Sequence, residues 1–211
     1  MAAEGGGGGE VRLVLGSQSK WRGILVREML ATAAAGSPLA RAQLRQLAAD
    51  IDEKAIRHAD PREMVARIAR AKAEALVPRL ERDELLLCSD EVVVCAGVVR
   101  EKPESADECR AFLRSYATHR AEAFTSVCVY DARTGRWFED VDYAWVQFAA
   151  IPEWKEDALL AQGDVMHAAG GFVIEELGDF TREVHGEVET IQGLPRAMTL
   201  ELLGRAIGSR R

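Results

Sequence analysis

The sequence predicts an α/β protein. Its 211 residues, 48% hydrophobic and 29% charged, have globular composition and supply one large domain or two small lobes around a shared core. Val11 to Gly16 forms a short apolar run, Ser17-Gln18-Ser19 a polar connection, and Ile24, Leu25, Met29 and Leu30 then recur at helical spacing. Strand, polar turn and helix start in such quick succession mark an α/β unit, and further strand patterns and capped helices follow it.

Residues 1–10 are expected to be a flexible arm, because consecutive glycines lose much backbone entropy on ordering and offer nothing to pack. The remaining 11–211 is expected to be a single domain. In the first helix, Ser17 or Ser19 supplies the N-cap, and the free amides at that helix start favour an anion. Residues 36–52 read as a loop followed by a helical piece or a short strand. Asp60, Pro61 and Glu63 then provide a cap, a proline in the first turn and an acid at the third position, so a helix runs from there to about Val77. Its apolar stripe is Val65, Ile68 and Leu76, and Lys72 falls on that same inward stripe. Leu85 to Asp90 reads as a buried strand ending in an acid, continued by Val92 to Val94. Gly97, Lys102 and Pro103 mark a turn, and Ser105 with Glu108 opens a helix carrying Cys109, Phe112, Leu113 and Tyr116. Phe124 to Tyr130 and Trp137 to Phe148 predict two antiparallel strands around the loop Asp131-Ala132-Arg133-Thr134-Gly135. Pro152 begins a helix packing through Trp154 and Leu159, Phe172 to Ile174 predicts a short strand, and Gly193-Leu194-Pro195 leads into a last helix.

Composition excludes several classes. The net charge is −7, and residues 138–191 hold thirteen acids against only Lys155 and Arg182, so an extended nucleic acid along that stretch meets repulsion. Cys88, Cys95, Cys109 and Cys128 lack any CxxC spacing and read as free thiols of a reducing compartment. No secretory leader pattern and no long apolar run occurs, so a cytoplasmic protein without membrane contact is expected. The five-glycine run precedes the first strand and lacks the lysine and hydroxyl residue of a phosphate loop, and no HExxH or GxSxG is present.

What remains is a set of scattered charges. An ammonium at Lys72, on an apolar stripe, requires either an internal acid or a bound oxyanion. Asp90 closes a buried strand where α/β folds open their ligand crevice, although a turn role is as compatible with the sequence. Glu53 with Asp90 offers carboxylate oxygens to a hard cation. Arg22 places a forked donor beside the helix start, Lys102 is fixed by Pro103, and Gly170-Gly171-Phe172 offers close backbone approach and an aromatic face, while a surface arginine, an exposed turn and a plain glycine turn are equally compatible with the sequence at these places.

In order, these segments resemble the Maf family of nucleoside triphosphate pyrophosphatases across nearly all of Val11 to Leu203. The resemblance rests on Ser17-Gln18-Ser19-Lys20-Trp21-Arg22, Asp50-Ile51-Asp52-Glu53, Ala71-Lys72-Ala73, Asp90-Glu91-Val92-Val93, Lys102-Pro103, Ala169-Gly170-Gly171-Phe172 and Gly193-Leu194-Pro195. It implies an elongated, twisted mixed sheet flanked by helices, with two lobes around a central cleft. It also implies hydrolysis of the α–β phosphoanhydride of a nucleoside triphosphate with Mg2+ or Mn2+, in a house-cleaning role. Ser17 and Ser19 fall in the phosphate-binding turn, and Arg22, Glu53, Lys72, Asp90 and Lys102 in the catalytic cleft. Gly170, Gly171 and Phe172 join the substrate-binding set, and Glu53 and Asp90 hold the metal. Asp90 is expected to be the general base. Lys20 and Gly23 depart from the usual family residues. The base stays open between dTTP or UTP and 7-methyl-GTP, and a homodimer is left open. The competing readings are a non-catalytic nucleotide-binding regulator and a division-linked interaction protein.

Overall fold

The computed structural model describes residues 10–210; the rest of the expected arm, residues 1–9, lies outside the described residues. Strand β1 (Arg12–Leu15) is followed by the polar turn and helix α1 (Lys20–Ala31). Ser19 is the cap, accepting from the Arg22 backbone N–H at 3.3 Å, while the Ser17 hydroxyl accepts from the Ser19 N–H at 3.1 Å. The ambiguous stretch resolves into a 3-10 turn, Pro38–Arg41, and the short strand β2 (Gln43–Gln46), parallel to β1.

Helix α2 (Pro61–Leu76) starts as its sequence dictates, with the Asp60 carboxylate accepting from the Arg62 N–H at 2.8 Å and Pro61 in the first turn. Its buried face carries Met64, Val65, Ile68, Ala69, Ala73 and Leu76, and Lys72 among them. Strand β3 (Glu84–Cys95) is longer than its apolar run suggested, and Asp90 stands in its middle rather than at its end. The strand continues because β5 (Ala121–Asp131) pairs antiparallel with it along Leu85 to Val94. On the opposite edge, β1 pairs parallel over Glu84 to Leu87, and β4 (Val98–Arg100) returns antiparallel over Val93 to Cys95. Residues 88–92 thus have a neighbouring strand on one edge only, among the described residues. That gap in the ladder is where the site lies.

Helix α3 (Ala106–Ser115) is capped by the Ser105 hydroxyl, which accepts from the Glu108 N–H, and it buries Cys109, Phe112 and Leu113. Beyond β5, strand β6 (Arg136–Phe148) completes the expected hairpin. Helix α4 (Glu153–Gln162) forms after Pro152, but Trp154 is 66% exposed and Leu159 with Glu156 faces inward. Positions two apart on a helix point roughly 160–200° away from each other, so burying Glu156 turns Trp154 outward. Glu156 is tolerated inside because Arg114 donates to it through Nε and Nη2, at 3.0 and 2.9 Å.

Phe172 to Ile174 is not a strand. Phe172 and Val173 are extended but unpaired, lying between 3-10 turns at Ala169–Gly171 and Ile174–Phe180, and their side chains fill the core instead of extending a sheet. The strand in this region is β7 (Thr181–His185), whose polar composition concealed it; it pairs with β6 at the sheet edge. The short helix α5 (Val188–Ile191) and the last helix α6 (Arg196–Gly208) end the chain.

The result is a mixed seven-stranded sheet in the order β2-β1-β3-β5-β6-β7, with β4 attached to β3 and helices packed against the faces. The apolar cluster formed by β1, α1 and α6 includes Leu13, Leu15, Val26, Met29, Leu194 and Leu202. Another cluster, around Phe112, Tyr116, Phe148 and Phe172, joins α3, β6 and the segment after α4. No helix among the described residues is long and apolar enough to cross a membrane.

Candidate active site

A cleft of about 1240 Å³ opens over the gap in the β3 ladder, and its apolar lining includes Phe172, Val173 and Ile174 on one side and Met64, Ile68 and Val92 on another. Its walls include Ser17, Ser19, Trp21 and Arg22 from the start of α1, Glu53, Lys72 from α2, Asp90 and Glu91 from β3, Lys102, and Phe172. Five elements far apart in sequence thereby deliver their charged side chains to one space.

Lys72 is the pivot. Its ammonium donates to Asp90 Oδ1 at 2.6 Å and meets Glu53 Oε2 at 2.9 Å, with the lysine side chain 8% and the Asp90 side chain 9% exposed. The sequence posed a choice between an internal acid and an external anion, and the structure supplies two internal acids at the cleft wall. Burial pushes the Asp90 carboxyl above its ordinary range, with Glu53 adding to the rise and Lys72 and Arg22 opposing it. A carboxyl so placed takes up a proton more readily than an exposed one.

Arg22 is held differently. Its Nε donates to the Gly193 carbonyl at 3.0 Å and its Nη1 to the Ser89 carbonyl at 3.2 Å, so the guanidinium fills the gap that β1 leaves beside β3. Lys102 is exposed on the cleft wall and makes no ion pair among the described residues. Ser17 and Ser19 line the cleft, and their hydroxyls order the turn while the first amides of α1 lie beside them.

Gly170 and Gly171 stand elsewhere. Both are buried behind Phe172 and do not line the cleft. Gly170 has φ of 72°, and a Cβ there would meet the Tyr116 hydroxyl and the Val93 side chain at 2.9 Å. The Tyr116 hydroxyl donates to the Gly170 carbonyl at 2.7 Å. This glycine pair is thus a core turn that seats Phe172, itself 5% exposed, at the base of the wall.

Glu91 follows Asp90 on β3, where successive side chains point to opposite faces of the sheet. At an open strand edge both neighbours reach the same space, and Glu91 joins Asp90 in the cleft. Its carboxyl is pushed up to about 8, chiefly by loss of hydration, with Arg22 and Lys102 opposing the rise and Asp90 adding to it. No local signal marks Trp21, which is 37% exposed and lines the cleft along with Ile24, Leu25 and Glu28 of the same helix face.

No group of three or more His, Cys, Asp or Glu among the described residues has the geometry to hold a metal ion. The donors present are carboxylate oxygens, the type a hard cation takes, and Lys72 occupies the space between Glu53 and Asp90. Such a set fits a divalent ion held by one or two carboxylates together with phosphate oxygens, rather than an all-protein cage.

The family model described as Maf-like protein matches residues 12–206. The 7-methyl-GTP pyrophosphatase of Dictyostelium discoideum is 43% identical over 200 residues, covering 92% of this chain and 96% of that protein. The dTTP/UTP pyrophosphatase of Anaeromyxobacter dehalogenans strain 2CP-1 is 37% identical over 198 residues, covering 92% of this chain and 94% of its own. That of Chelativorans sp. strain BNC1 is 32% identical over 165 residues, covering 75% and 78% respectively.

Proposed function

The chain belongs to the Maf family and is a nucleoside triphosphate pyrophosphatase, and we propose that Arg22, Lys72 and Lys102 grip the triphosphate while Asp90 receives the proton of the attacking water. The observation that carries this is the convergence of those three cations and of Glu53, Asp90 and Glu91 on one cleft. Hydrolysis joins a water oxygen to the α-phosphorus and breaks its bond to the bridging oxygen, giving the monophosphate and pyrophosphate. Negative charge grows on the departing pyrophosphate. Arg22, Lys102 and the amides of α1 are placed to neutralise it.

Asp90 is suited to the base role because burial holds its carboxyl above the ordinary range, closer to working pH. Lys72 fixes that carboxylate by donating to Oδ1 at 2.6 Å, and Oδ2 accepts no hydrogen bond among the described residues. Glu53 and Asp90 are the residues that would hold Mg2+ or Mn2+, with Glu91 as a further oxygen donor. Such an ion supplies charge stabilisation on the phosphate oxygens.

For the base we favour 7-methylguanine. Methylation at N7 gives the ring a positive charge, and the α1 wall presents Trp21 and, two turns further on, Glu28 on the same face. An aromatic ring and a carboxylate attract a cationic base and offer little to a neutral pyrimidine. The identity to the Dictyostelium 7-methyl-GTP pyrophosphatase supports the same choice.

The deciding experiment compares kcat/KM for 7-methyl-GTP, GTP, dTTP and UTP with Mg2+, identifying both products. Release of monophosphate and pyrophosphate with preference for 7-methyl-GTP is expected, and Trp21→Ala should reduce that preference about 10-fold. Equal rates on all four, or a preference for dTTP or UTP, would remove the base assignment.

A further inference from the structure

The Gly193-Leu194-Pro195 motif has no part in the chemistry above, yet its glycine touches the site. The Gly193 carbonyl accepts two hydrogen bonds, from Arg22 Nε at 3.0 Å and from the Ser89 hydroxyl at 2.7 Å. Ser89 is fully buried, and its own carbonyl accepts from Arg22 Nη1 at 3.2 Å. Gly193 has φ of 85°, and a Cβ there would lie 2.6 Å from Glu91 Oε2 and 3.0 Å from Arg22 Nη2. We propose that Ser89 and Gly193 form a clamp that aims the Arg22 guanidinium into the cleft, making both of them positioning residues for triphosphate binding.

Three features favour aiming over simple packing. Both hydrogen-bond acceptors of Arg22 are neutral carbonyls, which orient the guanidinium, while the Asp90 and Glu91 carboxyls act on it only through space. The clamp uses Nε and Nη1 and leaves Nη2 without a protein partner among the described residues, so a forked donor stays available for a phosphate. The Ser89 carbonyl is available because β1 stops short: Leu87 accepts from the Gly16 N–H on that edge, and Ser89, two residues on, points the same way.

The inference rests on the reading that Arg22 grips the triphosphate. Its test is a double-mutant cycle of Ser89→Ala and Arg22→Ala on the full chain. Steady-state kinetics with Mg2+ and the preferred triphosphate are measured, with thermal unfolding followed separately. Ser89→Ala should raise KM about 10-fold with kcat within about threefold of wild type. Ser89→Cys, keeping a weaker donor of similar size, should fall between. In the Arg22→Ala background the serine change should add less than about twofold. If Ser89→Ala folds poorly, Ser89→Cys, whose thiol keeps the buried position filled, is run through the same cycle with Arg22→Ala, and its smaller KM penalty should vanish without Arg22 in the same way. An unchanged KM in Ser89→Ala, or an equal penalty with and without Arg22, overturns the clamp. An Arg22→Ala enzyme with unchanged KM instead removes the reading that Arg22 grips the triphosphate, and the clamp with it.

Discussion

Replacing Lys72 with methionine tests the centre of the site. The side chain is similar in length and suits the apolar stripe of α2, so what is lost is the ammonium and its contacts at 2.6 Å to Asp90 and 2.9 Å to Glu53. Asp90, with 9% of its side chain exposed, is left buried without its cation, a change that costs about 3–5 kcal/mol. Glu53 is 47% exposed, and water screens its part of the loss to less than about 1 kcal/mol. For a chain of this length the melting temperature should fall by about 6–20 °C. Asp90 compensates by holding a proton, which burial already favours, so the loss should be smaller at pH 6 than at pH 8. Turnover should drop about 100- to 1000-fold, the usual effect of removing one donor from a site of growing negative charge. Pyrophosphate release and thermal unfolding at both pH values provide the readouts. Adding Asp90→Asn to the methionine variant should restore much of the stability and none of the activity. A methionine enzyme within a few-fold of wild-type turnover, or with a melting temperature unchanged at pH 8, would refute the assignment of Lys72 as the pivot.

In metal-free enzyme, the Glu91 carboxyl is raised from 4.5 to about 8, so the native state binds its proton more tightly than the unfolded chain. Its contribution to stability is complete below about pH 4.5 and is lost as pH rises toward 8; Glu91→Gln should flatten the melting temperature across that window. Asp131 has the opposite sign: it is fully buried, accepts from Arg210 Nη2 at 2.6 Å, and has its carboxyl held below the ordinary range even though burial alone would raise it. Stability from Asp131 is therefore present above about pH 4 and lost as acid protonates it, and Asp131→Asn should cost about 2–3 kcal/mol at pH 7 in chemical denaturation with kcat/KM unchanged. Gly170→Ala should cost about 2–4 kcal/mol from left-handed backbone strain and the clash with Tyr116 and Val93. Its KM should move little; a large KM change with wild-type stability would return Gly170 to the binding surface.

Helix α2 was readable in full from sequence, because cap, proline and stripe are local signals and Lys72 sits at a fixed angle on the stripe. The β5–β6 hairpin and the apolar start of β3 were equally local, whereas the run of β3 past Asp90 depends on its pairing with β5. Three further features were not local either. Trp154 faces outward because Arg110 and Arg114 on a different helix make it acceptable for Glu156 to face in, with Arg110 Nη1 3.5 Å from the Glu156 carboxylate. Phe172 to Ile174 has strand composition, yet the positive φ angles of Gly170 and Gly171 turn the chain into the core before any neighbour can pair with it. Glu91 is not legible as a cleft residue from its place in the strand, because it shares the space with Asp90 only where the edge of β3 lies open, and the missing neighbour at residues 88–92 is a property of β1 and β4 rather than of β3. The charged residues of the cleft were found individually from local context and, as a group, from their order along the chain. Their distances required the sheet.

The twelve residues of β3 begin in register with β1 and end in register with β4, and the acid pair falls between the two pairings. Asp90 and Glu91 therefore ride on a continuous beam, whereas Arg22 and Lys102 follow pieces bolted to its two ends, β1 and β4, and Lys72 is carried by α2, which packs along the beam's face. Substrate grip depends on all of those attachments at once. A lesion remote from the phosphates, such as a loosened α1 or a frayed β4, should show itself first as weakened substrate affinity, well before the molecule melts.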